Sequence, residues 1–151
     1  MNLDRYIDEH KEEIIRSVQE IVRIPSVEGP ALPGKPFGRE VDEALRKTLE
    51  LAESLGFRVK NVDGYAGHAE FGEGEETMGI LGHLDVVPEG SGWTYPPYEA
   101  RIVDGKIYGR GTQDNKGPMI GALYAMKAVM ESGRKMKRKV RIIFGTDEES
   151  G

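Results

Sequence analysis

The amino-acid sequence predicts an α/β fold: a mixed, mostly parallel sheet with flanking helices. Three stretches repeat apolar residues at helical spacing. Short apolar runs bounded by Gly, Pro and acidic clusters read as strands. The two kinds of segment are interleaved, which is the pattern of a sheet covered by helices. At 151 residues, the chain has the size of one ordinary domain or part of a larger one. Apolar residues make up 38% and charged residues 31%, enough for a core and too apolar for a disordered tail.

The first helix is expected over residues 3–23, where Leu3, Tyr6, Ile7, Ile14, Val18, Ile21 and Val22 form one face. Asn2 is placed to cap it, and Asp4 suits the positive end of its dipole. Pro25 prevents its continuation, and the Pro/Gly-rich stretch after it reads as loop. A second helix is expected over 39–55, with Val41, Leu45, Thr48, Ala52 and Leu55 as its stripe and Gly56 as terminator. Strands are expected over 57–62, 67–72 and 77–85. Residues 88–97 read as an ordered loop; Trp93, Tyr95 and Tyr98 in WTYPPY either line a cleft or, the favoured reading, pack the loop onto the sheet. ARIVDGKIYGRG then reads as a hairpin, since Asp104-Gly105 suits a tight turn with positive φ. A third helix is expected over 117–132, with Pro118 in its first turn and Gly133 at its end. It is apolar around most of its circumference, which predicts cover on several sides. RKVRIIFG reads as a last strand, approached by the basic Lys135, Lys137, Arg138 and Lys139 as a solvated run.

Composition excludes several classes. The net charge is -5 and there is no basic field, so neither nucleic acid nor an anionic membrane is an expected partner. No apolar run is long enough to span a bilayer. The N-terminus is charged from its fourth residue and lacks the apolar centre of a signal peptide. There is no cysteine, which removes disulfides, thiol nucleophiles and thiolate metal sites. A metal here must be held by His, Asp and Glu. The expected compartment is the cytoplasm.

Three motifs carry candidate chemistry. In Gly82-His83-Leu84-Asp85, a strand that persists puts His83 and Asp85 on one side. Asp85 can then accept the ring N–H and leave the other nitrogen for a metal. In GRGTQDNKGP, Asp114 stands just ahead of a helix start, as an N-cap or as a carboxylate bridging two cations. In TDEESG, Glu148 and Glu149 follow an apolar strand. They either decorate a helix start or divide the work, one holding a metal and the other taking a proton from water. In open α/β sheets, ligands collect beyond the carboxyl ends of strands, where two of these motifs fall.

Taken together, GHLDVVPEGSGW, IYGRGTQDNKGP and GTDEESG resemble the co-catalytic zinc metallopeptidases of the aminoacylase/dipeptidase family, nearest its peptidase V type of dipeptidase. IVRIPSV resembles that family's first helix and loop. The resemblance implies a zinc-peptidase-like catalytic domain that binds two zinc ions, with a dipeptide as substrate. It implies His83 on one zinc, Glu149 on the other and Asp114 bridging them. Glu148 would be the general base acting on a metal-bridging water, Asp85 would support His83, and the Asp114–Asn115 peptide bond would be cis. His10 and His68 match none of its motifs and are expected on the surface or in packing. The same chemistry serves N-acyl amino acid deacylases of the acetylornithine deacetylase or succinyl-diaminopimelate desuccinylase type, and an inactive metal-binding module is a further alternative. The family has two more metal ligands than the chain shows. Residues 1–151 are therefore expected to be the N-terminal part of a catalytic domain, without its inserted lid or dimerisation domain and its C-terminal half. By itself such a chain is expected to be inactive.

Overall fold

The structure is a computed structural model that describes residues 3–151. The expected first helix is two helices, α1 (Leu3–Glu9) and α2 (Lys11–Val22). The break is at His10, whose backbone leaves the helical basin at φ -104° and ψ 7°. Its ring stacks on Tyr6 with centroids 4.0 Å apart, and its Nδ1 lies 2.8 Å from the Tyr6 carbonyl. The Tyr6 carbonyl is thus shared between this ring and the His10 backbone N–H at 3.1 Å. The Asn2 cap lies outside the described residues. Helix α3 (Arg39–Ser54) buries Val41, Leu45, Thr48 and Ala52, as its stripe requires.

Four strands form the main sheet: β1 (Arg58–Val62), β2 (Ala66–Phe71), β3 (Thr77–His83) and β6 (Lys139–Gly145), in the order β1-β2-β6-β3. The sheet is mixed, but only the β3–β6 pair is parallel; β1–β2 and β2–β6 are antiparallel. This corrects the expected parallel majority for these strands. The turn between Val62 and Ala66 is too short for a crossover, so β1 and β2 must run in opposite directions. The strand expected over 77–85 ends at His83. Strands β4 (Arg101–Val103) and β5 (Lys106–Tyr108) form a separate hairpin, with Asp104 and Gly105 at φ 49° and 73°.

Helix α4 (Lys116–Glu131) packs on β3, β6, α1 and α2. Its buried Met119, Ile120, Leu123, Tyr124 and Met126 spread around the helix, matching its lack of a polar face. The helices cover one face of the sheet, where Ala69, Phe71, Val140, Ile142 and Phe144 join the core. The pleat sends Leu81 and His83 to the other face, with Ile143 and His68 in register with Leu81. No helix among the described residues is long and apolar enough to cross a membrane.

Candidate metal centre

The site is built where β3 and β6 both reach their carboxyl ends. The two strands are parallel and in register up to His83 and Gly145, so the residues that follow each strand emerge side by side. Helix α4 brings the third segment. Its first turn lies against Gly82, where an added Cβ would run into Met119 Sδ and Asn115 Oδ1. The absence of a side chain at Gly82 lets the residues before α4 reach His83.

His83 is buried and holds its ring in one orientation. Its Nδ1 lies 3.0 Å from the main-chain carbonyl of Asp85. A carbonyl only accepts, so the ring donates to it from Nδ1 and turns Nε2 toward the cluster. That atom faces Asp114 Oδ1 at 3.1 Å and Glu148 Oε2 at 3.7 Å. One oxygen of Glu149 completes the cluster: ligand atoms of His83, Asp114 and Glu149 all lie within 4.8 Å of one another. One imidazole nitrogen and carboxylate oxygens gathered this closely form a donor set suited to a cation.

Asp85 is attached differently from the sequence reading. Because β3 ends at His83, residues 83 and 85 no longer alternate along a paired strand. The ring N–H goes to the Asp85 backbone, while its carboxylate Oδ1 lies 3.4 Å from Nδ1 and has no hydrogen-bond donor. Oδ2 accepts the backbone N–H groups of both Glu148 and Glu149, each at 2.9 Å. Asp114 does not cap α4. The N-cap position is Asn115, which makes no side-chain cap bond. The Asp114–Asn115 peptide bond is cis, and Asn115 Oδ1 lies 3.4 Å from the His83 backbone N–H. Residues 147–150 are irregular, with bends at Glu148 and Glu149, and do not start a helix.

The cluster opens into a cleft of about 610 Å³. Phe37, Tyr65 and Leu81 line it together with His83, Asp114 and Glu148. Phe37 and Tyr65 meet edge to face at 5.6 Å, and Tyr65 is largely exposed. Sequence reasoning missed this aromatic pair, which no motif marks and which only the fold brings to the site. Thr146, buried at the end of β6, donates from Oγ1 to the carbonyls of Gly64 and Tyr65 and so ties their turn to the Glu148 segment. Also unforeseen is Lys116, fully buried, whose ammonium donates to the Ile24 carbonyl at 2.5 Å. Burial pushes it down to about 7, while the Asp85 charge works in the opposite sense.

Trp93, Tyr95 and Tyr98 do not line this cleft. Trp93 Nε1 donates to the Glu89 carbonyl at 2.7 Å, Tyr98 to the Glu89 carboxylate at 3.1 Å, and Tyr95 packs on Tyr108 of the hairpin. Burial, then the Glu89 carboxylate, pushes the Tyr98 phenol up to about 12. Of the other histidines, His10 packs on Tyr6 and His68 lies in β2.

Residues 79–151 match the family model described as Peptidase family M20/M25/M40. The chain is 50% identical over 152 residues to a Bacillus subtilis (strain 168) protein named "Putative dipeptidase YtjP", covering 99% of this chain and 33% of that protein. It is 39% identical over 153 residues to the Beta-Ala-Xaa dipeptidase of Lactobacillus delbrueckii subsp. lactis, with the same 99% and 33% coverage. In structure it is similar to human carnosine dipeptidase 1, with a TM-score of 0.84 and 31% identity over 99% of this chain and 35% of that one. The chain spans about a third of the length of these relatives.

Proposed function

We propose that this chain supplies part of the catalytic centre of a zinc-dependent dipeptidase working in the cytoplasm. The convergence of His83, Asp114 and Glu149 on one point, with Glu148 beside them, carries the reading. The donor set fits a divalent metal of borderline softness, since it offers one imidazole nitrogen and carboxylate oxygens and no sulfur. The names of the relatives support a dipeptide as substrate.

In this reading the complete site takes two zinc ions. His83 holds one through Nε2, Glu149 holds the other, and Asp114 has an oxygen for each. Bound there, zinc lowers the pKa of water and polarises a carbonyl. Asp85 fixes the tautomer of His83 through its backbone carbonyl. Glu148, exposed to the cleft, takes the proton from the attacking water and passes it to the leaving amine. Phe37 and Tyr65 give the cleft an apolar border against which a substrate side chain can rest. The remaining ligands, and a lid or dimerisation domain inserted in the catalytic domain, belong in this proposal to chain not among these residues.

The test is turnover by the protein that carries this chain. Dipeptide hydrolysis abolished by a chelator and restored by zinc supports the reading. Hydrolysis indifferent to the chelator, or confined to N-acyl amino acids, overturns it.

A further inference from the structure

We infer that Asp85 is the positioning residue of the Glu148–Glu149 pair, locking both the proposed base and the proposed ligand to the strand that presents His83. The inference rests on the metal-centre reading for its consequence, but its geometry stands apart from any metal.

Asp85 is 2% exposed. Burying a carboxylate costs several kcal/mol unless charge and hydrogen bonds offset it. What this carboxylate obtains is two backbone N–H groups on Oδ2 at 2.9 Å each, from consecutive residues. Bonds from N–H to a carboxylate are the strong, charge-assisted kind. The His83 ring N–H is committed to the Asp85 carbonyl at 3.0 Å, with the carboxylate Oδ1 farther off at 3.4 Å. The segment after β6 needs the carboxylate. Residues 147–150 have no helix and no strand to satisfy their backbone, and the N–H groups of Glu148 and Glu149 are bonded here to Asp85 alone.

The consequence is a division of labour within one residue. The backbone carbonyl of Asp85 orients His83, and its side chain orients the two glutamates that face His83 and Asp114. A single residue thus sets the spacing between the imidazole and both carboxylates. Asparagine at this position keeps an acceptor oxygen for the two N–H groups, whereas alanine removes it. A residue acting only by its charge on the imidazole predicts instead that the two substitutions are equally damaging.

The experiment uses the isotopically labelled 151-residue chain without metal. In the wild type, scalar couplings across hydrogen bonds are expected from the amide nitrogens of Glu148 and Glu149 to the side-chain carboxylate carbon of Asp85. Absence of both couplings overturns the inference, and this measurement requires no variant to fold. In Asp85→Ala, both amides should exchange at least about 10-fold faster, while Ala69 and Ile142 in the sheet keep their protection. Asp85→Asn should hold exchange within a few-fold of the wild type. Unchanged protection in Asp85→Ala, or equal loss in both variants, overturns the inference. Zinc affinity is the second readout. It should fall about 10- to 100-fold in Asp85→Ala, the range for loss of a supporting contact, and be largely rescued in Asp85→Asn. Equal zinc affinity in all three forms removes the link to the metal centre and overturns it too. The amide measurements need neither zinc nor substrate, so failure of the dipeptidase reading and failure of this inference give different results.

Discussion

Replacing Glu148 by Gln should leave His83, Asp114 and Glu149 in place while removing the carboxylate proposed to carry the proton. Activity of the protein that carries this site should then fall by about 10²- to 10⁴-fold, the usual contribution of a general base, with zinc content unchanged. Glu149→Ala should instead lower zinc content, because its oxygen belongs to the cluster with His83 and Asp114. Turnover and bound zinc, measured together on both variants, check the pair of outcomes; zinc loss in Glu148→Gln alone would show the roles to be reversed, and equal loss in both would overturn the division. These residues are legible in the sequence because each stands in a short polar motif at the end of an apolar run or the start of a helix. The attachment of Asp85 is not legible. It depends on β3 ending at His83 and not two residues later, and element boundaries are what side-chain periodicity resolves least well. Phe37 and Tyr65 carry no local signal either, since a loop and a β-turn distant in sequence deliver them to one cleft.

At the scale of elements, the stripe of α3 and the Asp-Gly hairpin could be read directly, because period and turn chemistry are local properties. The division between α1 and α2 could not, because apolar spacing continues across His10 and only the ring's contact with Tyr6 reveals the break. Packing between elements adds polar contacts that periodicity does not show. Tyr124 of α4 shares its hydroxyl with Ser17 of α2 at 2.8 Å and donates to Glu13 at 3.0 Å. Burial comes first among the causes that push this phenol up to about 12. Tyr124→Phe strands the buried Ser17 hydroxyl and should cost about 1–3 kcal/mol in chemical denaturation. In α3, Asp42 is buried while Lys35 and Arg46 reach its Oδ2 at 2.8 and 3.2 Å. Burial raises the carboxyl, but the two cations outweigh it and hold the group below its ordinary value. A lowered carboxylate pKa stabilises the fold above the unfolded value and ceases to do so as pH falls through the folded one. Both cations are partly exposed, so solvent screens them and the effect is modest. Asp42→Asn should therefore cost about 1 kcal/mol near neutrality, and the difference from wild type should shrink below about pH 4. Denaturation curves across that pH range test the sign; a difference that grows on acidification contradicts it.

On the scale of the whole molecule, the sheet is unevenly clothed. Helices α3 and α4 lie on one face, while Leu81, 78% exposed, stands on the other beside the cleft. A parallel pair such as β3–β6 is ordinarily covered on both faces. The metal cluster is similarly sparse, for His83, Asp114 and Glu149 are the one such group found among the described residues. If Asp114 is shared between two ions, each ion has two donors here, where catalytic zinc normally takes three protein ligands. The relatives that this chain matches along 99% of its length are about three times as long, which leaves ample chain in them for both further donors and a second layer on the sheet. The 151-residue chain on its own should therefore hold zinc more weakly than a protein of the relatives' length that carries it, and should not turn over dipeptides. Zinc titration of both forms, with a dipeptide assay run with and without chelator, decides the matter. Two separate outcomes would overturn the shared-ligand arrangement: chelator-sensitive turnover by the short chain at the rate of the long form, or equal zinc affinity in the two. Either result would mean that the cluster of His83, Asp114 and Glu149 with Glu148 is a sufficient centre by itself.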